Sequence, residues 1–187
     1  MSDAKPKSSL GFLTVIEDPQ HGLFGGYLVL NAAGRPLEFH CTAPIKPNRA
    51  QQILYGPTLE AFLYGEQIGQ TLLAQAKHEP LLVCTDRRPL LAVREFSPLP
   101  VVLVLPGESE AIADGEQRLL RFDAAHSHAP KLAIVQFGRN RLAVPERAED
   151  ARRLIAERLG ELGEAFDLAE PFQRIREAIE EAQQAVR

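Results

Sequence analysis

Glu38, His40 and Thr42 alternate with Leu37, Phe39 and Cys41 along one short segment. Successive side chains of an extended strand point to opposite faces, so the polar trio shares a face. A carboxylate and an imidazole side by side are the usual parts of general acid–base chemistry, which makes Glu38 and His40 the candidate catalytic pair. Lys46, Asn48 and Arg49 follow at a helix start, where free N–H groups and the positive helix end attract an anion. Tyr55 and Tyr64 each precede a glycine in a tripeptide, Leu-Tyr-Gly, that occurs twice. Their hydroxyls could face a ligand or the solvent. Lys46, Asn48, Arg49, Tyr55 and Tyr64 form the candidate ligand-binding set for an anionic small molecule. The plainer account of residues 35–49 is a solvated sheet face beside an ordinary helix cap.

Other chemistries find less support. His40, Cys41, Cys84, Asp86, His126 and His128 are residue types that bind zinc, but strand geometry sends His40 and Cys41 to opposite faces, and neither Cys-x-x-Cys nor His-Glu-x-x-His occurs. No metal site is expected, and both thiols read as small apolar side chains. The Gly-x-Ser-x-Gly elbow of serine hydrolases is absent. Gly22-Leu-Phe-Gly25-Gly26 is glycine-rich, but no Lys-Ser/Thr follows and a strand comes next, so a turn or bulge is the better reading. Asp86 followed by Glu95 is similar to the spaced acids of metal-dependent nucleases, but the lysine that would complete such a site is missing. Asp86 is more simply a turn residue. Gly65 and Gly69, four apart on a helix, permit close packing of a neighbour. No cofactor is called for.

The elements that would position these residues belong to an α+β domain, with a mixed or largely antiparallel sheet of about six to eight strands. The 187 residues, 45% hydrophobic and 25% charged, suit one core of ordinary size. Residues 1–9 read as a disordered tail, 10–142 as the core domain and 143–187 as a helical hairpin packed on the core or on a partner. Strands are expected at 11–17, 23–31 and 35–42, the last two reversing at Gly34. Asn48 caps a short helix, and Thr58 opens one long central helix to about Lys77. A hairpin is expected from Leu81–Thr85 and Leu90–Glu95, then strands at 101–105, 118–122 and 132–137, with β content ending near Arg141. Pro145 suits the first turn of a helix, and Asp167 with Glu170 has capping-box spacing ahead of the last one.

The net charge of −4 offers no global field for a polyanion, so nucleic acid is disfavoured unless Arg35, Lys46, Arg49, Arg87, Arg88 and Arg94 converge on one face. Two cysteines fit a reducing, cytoplasmic setting. No apolar stretch with the length and flanks of a signal peptide follows the polar N-terminus, and the most apolar stretches fall far short of a membrane span. With no catalytic signature and two amphipathic C-terminal helices, the leading expectation is a non-catalytic binding or adaptor module, with a protein partner or self-association. The alternative is an enzyme or small-ligand-binding protein acting on an anionic substrate around residues 35–49.

Overall fold

Ten-residue strands need an apolar neighbour on each face, and the two longest here have one. In the computed structural model, which describes residues 9–106, 131–146, 149–162 and 166–185, β1 (Ser9–Asp18) and β2 (Gly22–Asn31) pair antiparallel over their full length. The turn between them is held by the Asp18 carboxylate, which accepts from the backbone N–H groups of Gln20 and His21. β3 (Pro36–Cys41) pairs with β2 after a reversal in which Asn31 accepts from the amides of Ala33 and Arg35. This is the expected meander of strands.

The helical turns run from α1 (Arg49–Tyr55) through α2 (Leu59–Ala61) and a π-helical stretch, Phe62–Gln70, to α3 (Thr71–Gln75). Asn48 caps α1 as expected: its side chain accepts from the Gln51 amide, and the Gln51 side chain accepts from the Asn48 amide. Then come β4 (Leu82–Thr85), a 3₁₀ segment (Arg88–Glu95), β5 (Val101–Leu105), β6 (Leu132–Phe137), β7 (Asn140–Pro145), α4 (Glu149–Arg158) and α5 (Glu170–Ala185). Among the described residues the sheet has seven strands in the order β3-β2-β1-β4-β5-β7-β6. β4 is parallel to β1 and β5, and the other pairs are antiparallel, so the sheet is mixed.

Each face carries its own core. Phe12, Leu28, Cys84 and Val102 meet Ile155, Leu159, Phe172, Ile175 and Ile179 of the C-terminal segment. Leu13, Tyr27, Val83 and Leu103 meet Leu63, Ile68, Leu72, Leu90 and Val93 on the other side. Gly25 and Gly26 let both layers approach: a Cβ at Gly25 would collide with Ile68, and one at Gly26 with Ile175. These two glycines serve packing within a strand. Only Gly22, with φ of 103°, serves the turn expected of the cluster. Gly65 and Gly69 pack against Ala92 and Val93, as expected of a small-residue stripe.

Several local expectations are corrected. Leu90–Glu95 is not a strand. Pro89 starts 3₁₀ turns there, and Leu90, Leu91 and Val93 are buried together without period-two alternation. β4 already has β1 and β5 on its two edges, which leaves no place for a hairpin arm. β structure continues past Arg141, because Gly138, at φ 52°, turns β6 into β7. Pro145 ends that strand rather than opening a helix. Asp167 does not cap α5 as a box with Glu170. It accepts from the Ala169 amide just ahead of the helix and pairs with Arg139. Ser9 is buried at the start of β1, whereas residues 1–8, the strand expected at 118–122 and the pair His126 and His128 lie outside the described residues.

Candidate functional site

Glu38 and His40 do share a face of β3, and their side chains meet: Nε2 of His40 lies 2.5 Å from Glu38 Oε1. The same carboxylate accepts from the amides of Lys77 and His78 and lies 2.9 Å from Nδ1 of His78. Burial raises the pKa of Glu38, but these hydrogen bonds outweigh it and hold the carboxyl at about 2. Glu38 thus ties the sheet edge to the chain just beyond α3. Lys46 is elsewhere, its ammonium donating to the Gln20 carbonyl in the β1–β2 turn. Asn48 is engaged as a cap, Arg49 is exposed at the start of α1, and Tyr55 stacks on Phe62 with ring centroids 4.0 Å apart. Tyr64 donates to Glu17 Oε1 at 2.7 Å. Of the residues expected to form a site, the structure brings together Glu38 and His40 and adds His78. It sends Lys46 to the β1–β2 turn and Tyr64 to the end of β1.

A second cluster comes from the sheet order. The chain leaves β1 towards β2 on one side and β4 towards β5 on the other, so the carboxyl ends of these adjacent parallel strands are a topological switch point. Open sheets with such a point bind ligands in the crevice just outside it. β4 ends at Thr85, paired with Leu13, and β1 runs on for several residues. At that level Thr14 donates to Asp86 Oδ1 at 2.5 Å, and Oδ2 of Asp86 takes a short contact from the Arg176 guanidinium of α5. Thr14 points to the face covered by α5, because Leu13 and Val15 beside it pack on the other. On that opposite face Tyr64 meets Glu17, and Arg87 is close enough to act on the Tyr64 hydroxyl electrostatically. Nε of Arg87 is buried without a hydrogen-bond partner among the described residues.

Burial raises the pKa of the Tyr64 hydroxyl, and its bond to Glu17 adds to that, so it stays protonated and donates. The edge therefore holds a carboxylate between a hydroxyl and a guanidinium, and a second arginine with an unused donor, while the Tyr64 O–H is spent on Glu17. Guanidinium groups suit phosphate oxygens, which match their planar fork. Sequence reasoning named Tyr64 and weighed Asp86 but missed Thr14, Glu17 and Arg176. Arg87 entered it only as one of several surface cations. Arg176 stands ninety positions from Asp86, and no local pattern signals the pairing. Among the described residues no group of three or more His, Cys, Asp or Glu side chains comes together to hold a metal ion. Nor is any helix among them long and apolar enough to cross a membrane.

No family model and no curated protein matches this chain. Solved structures do. Human ENDOV is 13% identical, with a TM-score of 0.47, over 96% of this chain and 87% of that one. Ciona intestinalis Endonuclease V, in complex with a 24mer DNA containing an inosine followed by a ribo-adenosine, is 12% identical with a TM-score of 0.37, over 87% of this chain and 90% of that one. A second Ciona structure, with a 23mer DNA, is 11% identical with a TM-score of 0.36, over 87% and 89%. At these values the likeness is one of outline, and no residue correspondence is drawn from it. The expectations of a non-catalytic adaptor, of a protein or self-associating partner and of nucleic acid as disfavoured are corrected against this finding. Two of these structures are named as an endonuclease and hold DNA.

Proposed function

We propose that this protein is an enzyme acting on a phosphate-bearing substrate, nucleic acid included, held at the carboxyl edge of β1 and β4. The observation that carries the reading is the pair of arginines flanking Asp86, one bonded to it and the other with a buried, unpartnered Nε. An entering phosphate competes with Asp86 for Arg176 and leaves the carboxylate anchored by Thr14 alone. The reaction that fits is hydrolysis. Water attacks phosphorus, its proton passes to Asp86, and the ester oxygen leaves and is protonated by solvent. DNA in the two Ciona intestinalis structures is why nucleic acid is kept in the class. The assignment to an anion rests on this chain's own arginines. The same reading puts the protein in the cytoplasm, where Cys41 and Cys84 stay reduced.

The test is fluorescence anisotropy with labelled single-stranded and duplex oligonucleotides, competed with mononucleotides and inorganic phosphate. Arg176→Ala is expected to weaken binding about tenfold, the scale of one charge-assisted contact, and affinity is expected to fall with salt. Binding that survives Arg176→Ala but is lost in Lys46→Ala/Arg49→Ala would move the anion to the start of α1. The acid–base pair would then be Glu38 and His40, as the sequence alone proposes. Affinity unchanged in both variants would remove the reading.

A further inference from the structure

A cavity of about 340 Å³ lies where the β1–β2 turn, the end of β3 and the last turns of α5 meet. That volume is in the range of small-molecule sites. Phe24, Pro44, Ile179 and Ala182 form much of its wall, and His21 and Cys41 open onto it. The strand register fixes which way Cys41 points. It lies directly across from Gly26, and residues opposite each other in an antiparallel pair share a face. A Cβ on Gly26 would run into Ile175 and Ile179, so that face is the one under α5, where Phe24 also packs. Cys41 is exposed there, whereas Cys84 is sealed in the core.

His21 is oriented for proton transfer. Its amide is the main cause that holds the Asp18 carboxyl below the usual range, and the ionised carboxylate accepts from Nδ1 of the same residue at 3.0 Å. With Nδ1 spent as a donor, Nε2 is the free acceptor. The imidazole stands beside the Phe24 ring of the cavity wall, 6.4 Å between centroids. A thiol, a base turned by a third group and an adjoining space for a substrate are the parts of an activated nucleophile. The space sets the substrate class. Its walls are largely carbon and no Lys, Arg, Asp or Glu among the described residues lines it, so a charged molecule gains nothing there and an apolar chain does.

We propose that Cys41 is an acylation site that receives an apolar acyl group from a thioester, with the chain lodged in this cavity and His21 as the base. The thiol proton passes to His21 Nε2, directly or through one water. The sulfur bonds to the carbonyl carbon, the bond from that carbon to the carrier sulfur breaks, and the carrier leaves as a thiol with the proton from His21. Nothing is oxidised or reduced. Gly26 lies between Cys41 and Thr14 in the sheet, with Ile175 and Ile179 standing over it. The cavity is thus walled off from the proposed phosphate site, and either can fail alone.

The experiment is time-resolved intact-mass spectrometry of the full chain at pH 7 with the octanoyl and acetyl thioesters of N-acetylcysteamine, followed by peptide mapping. One acyl group per chain is expected, on Cys41 and lost in Cys41→Ala. Octanoyl transfer is expected to be about tenfold faster than acetyl transfer, the effect of burying roughly two methylenes. Ala182→Phe, on an exposed part of the wall, is expected to remove that preference and keep the acetyl rate. His21→Gln is expected to slow both transfers about a hundredfold, the low end of what a positioned base supplies. The proposal is overturned if no adduct forms or it forms elsewhere, if octanoyl is no faster than acetyl, if the preference survives Ala182→Phe, or if the rates survive His21→Gln.

Discussion

Single side chains here are set by what surrounds them more than by their type. Cys84 is fully buried, and burial pushes its thiol up to about 12, whereas Cys41 is exposed. The thiolate is the reactive form. One thiol per native chain, that of Cys41, is therefore expected to react with a disulfide reagent at pH 8, with Cys84 joining only in denaturant. Fast reaction of both in the native protein would contradict the placement of Cys84. Glu38 gives a second prediction. Its carboxyl lies at about 2 against an ordinary 4.5. A depressed carboxyl contributes stability that is complete above the unfolded value and is lost as pH falls towards the folded one. Glu38→Gln is expected to cost about 2 kcal/mol at neutral pH, the scale of hydrogen bonds to a charged group. Its deficit in melting temperature should shrink as pH falls from 4.5 to about 2. A deficit independent of pH would assign the loss to shape rather than charge.

Elements obey short-range rules where the needed partner is close in sequence. The Asn48 cap was legible because the residues that satisfy it are three positions away. Asn48→Ala should cost about 1 kcal/mol, the usual loss of a cap, read as a lower urea midpoint at unchanged slope. The 3₁₀ segment was illegible. Leu90–Glu95 has strand composition, and only the two occupied edges of β4 exclude it from the sheet. Gly26 makes the same point in reverse. As a residue in β2 it looks like a weak spot, yet Ile175 and Ile179 of α5 occupy the place of its side chain. Gly26→Ala should destabilise by about 1–3 kcal/mol through overpacking, the opposite of the gain expected at an unencumbered strand glycine. A stabilised variant would show that α5 can shift away from the sheet.

The molecule as a whole is a sheet with two separate apolar coats, and α5 supplies much of one. Phe172 is buried and meets Phe12 edge to face at 5.7 Å between centroids. Phe172→Ala should cost about 3–5 kcal/mol in chemical denaturation. A single cooperative transition is expected, because Phe172 and Phe12 lie in one cluster. If α5 melted first while the sheet remained folded, the C-terminal segment would be a separate unit and Arg176 a movable part of the edge. The proposed anion site would then depend on how α5 is docked.

From the sequence alone came the α+β class, the β1–β2–β3 meander, the helical turns before β4 and the last helix. These rest on apolar periodicity and on turn and cap residues, which act over a few positions. That Glu38 and His40 share a face was equally readable, since the side chains of a strand alternate with period two. Only the tertiary structure placed Thr14, Asp86 and Arg176 together, left Arg87 Nε and the Tyr27 hydroxyl without partners, and gave β4 a parallel strand on each edge. Each of these depends on which strands become neighbours. That order is settled by burying both sheet faces at once, a condition on the whole chain that no local window contains.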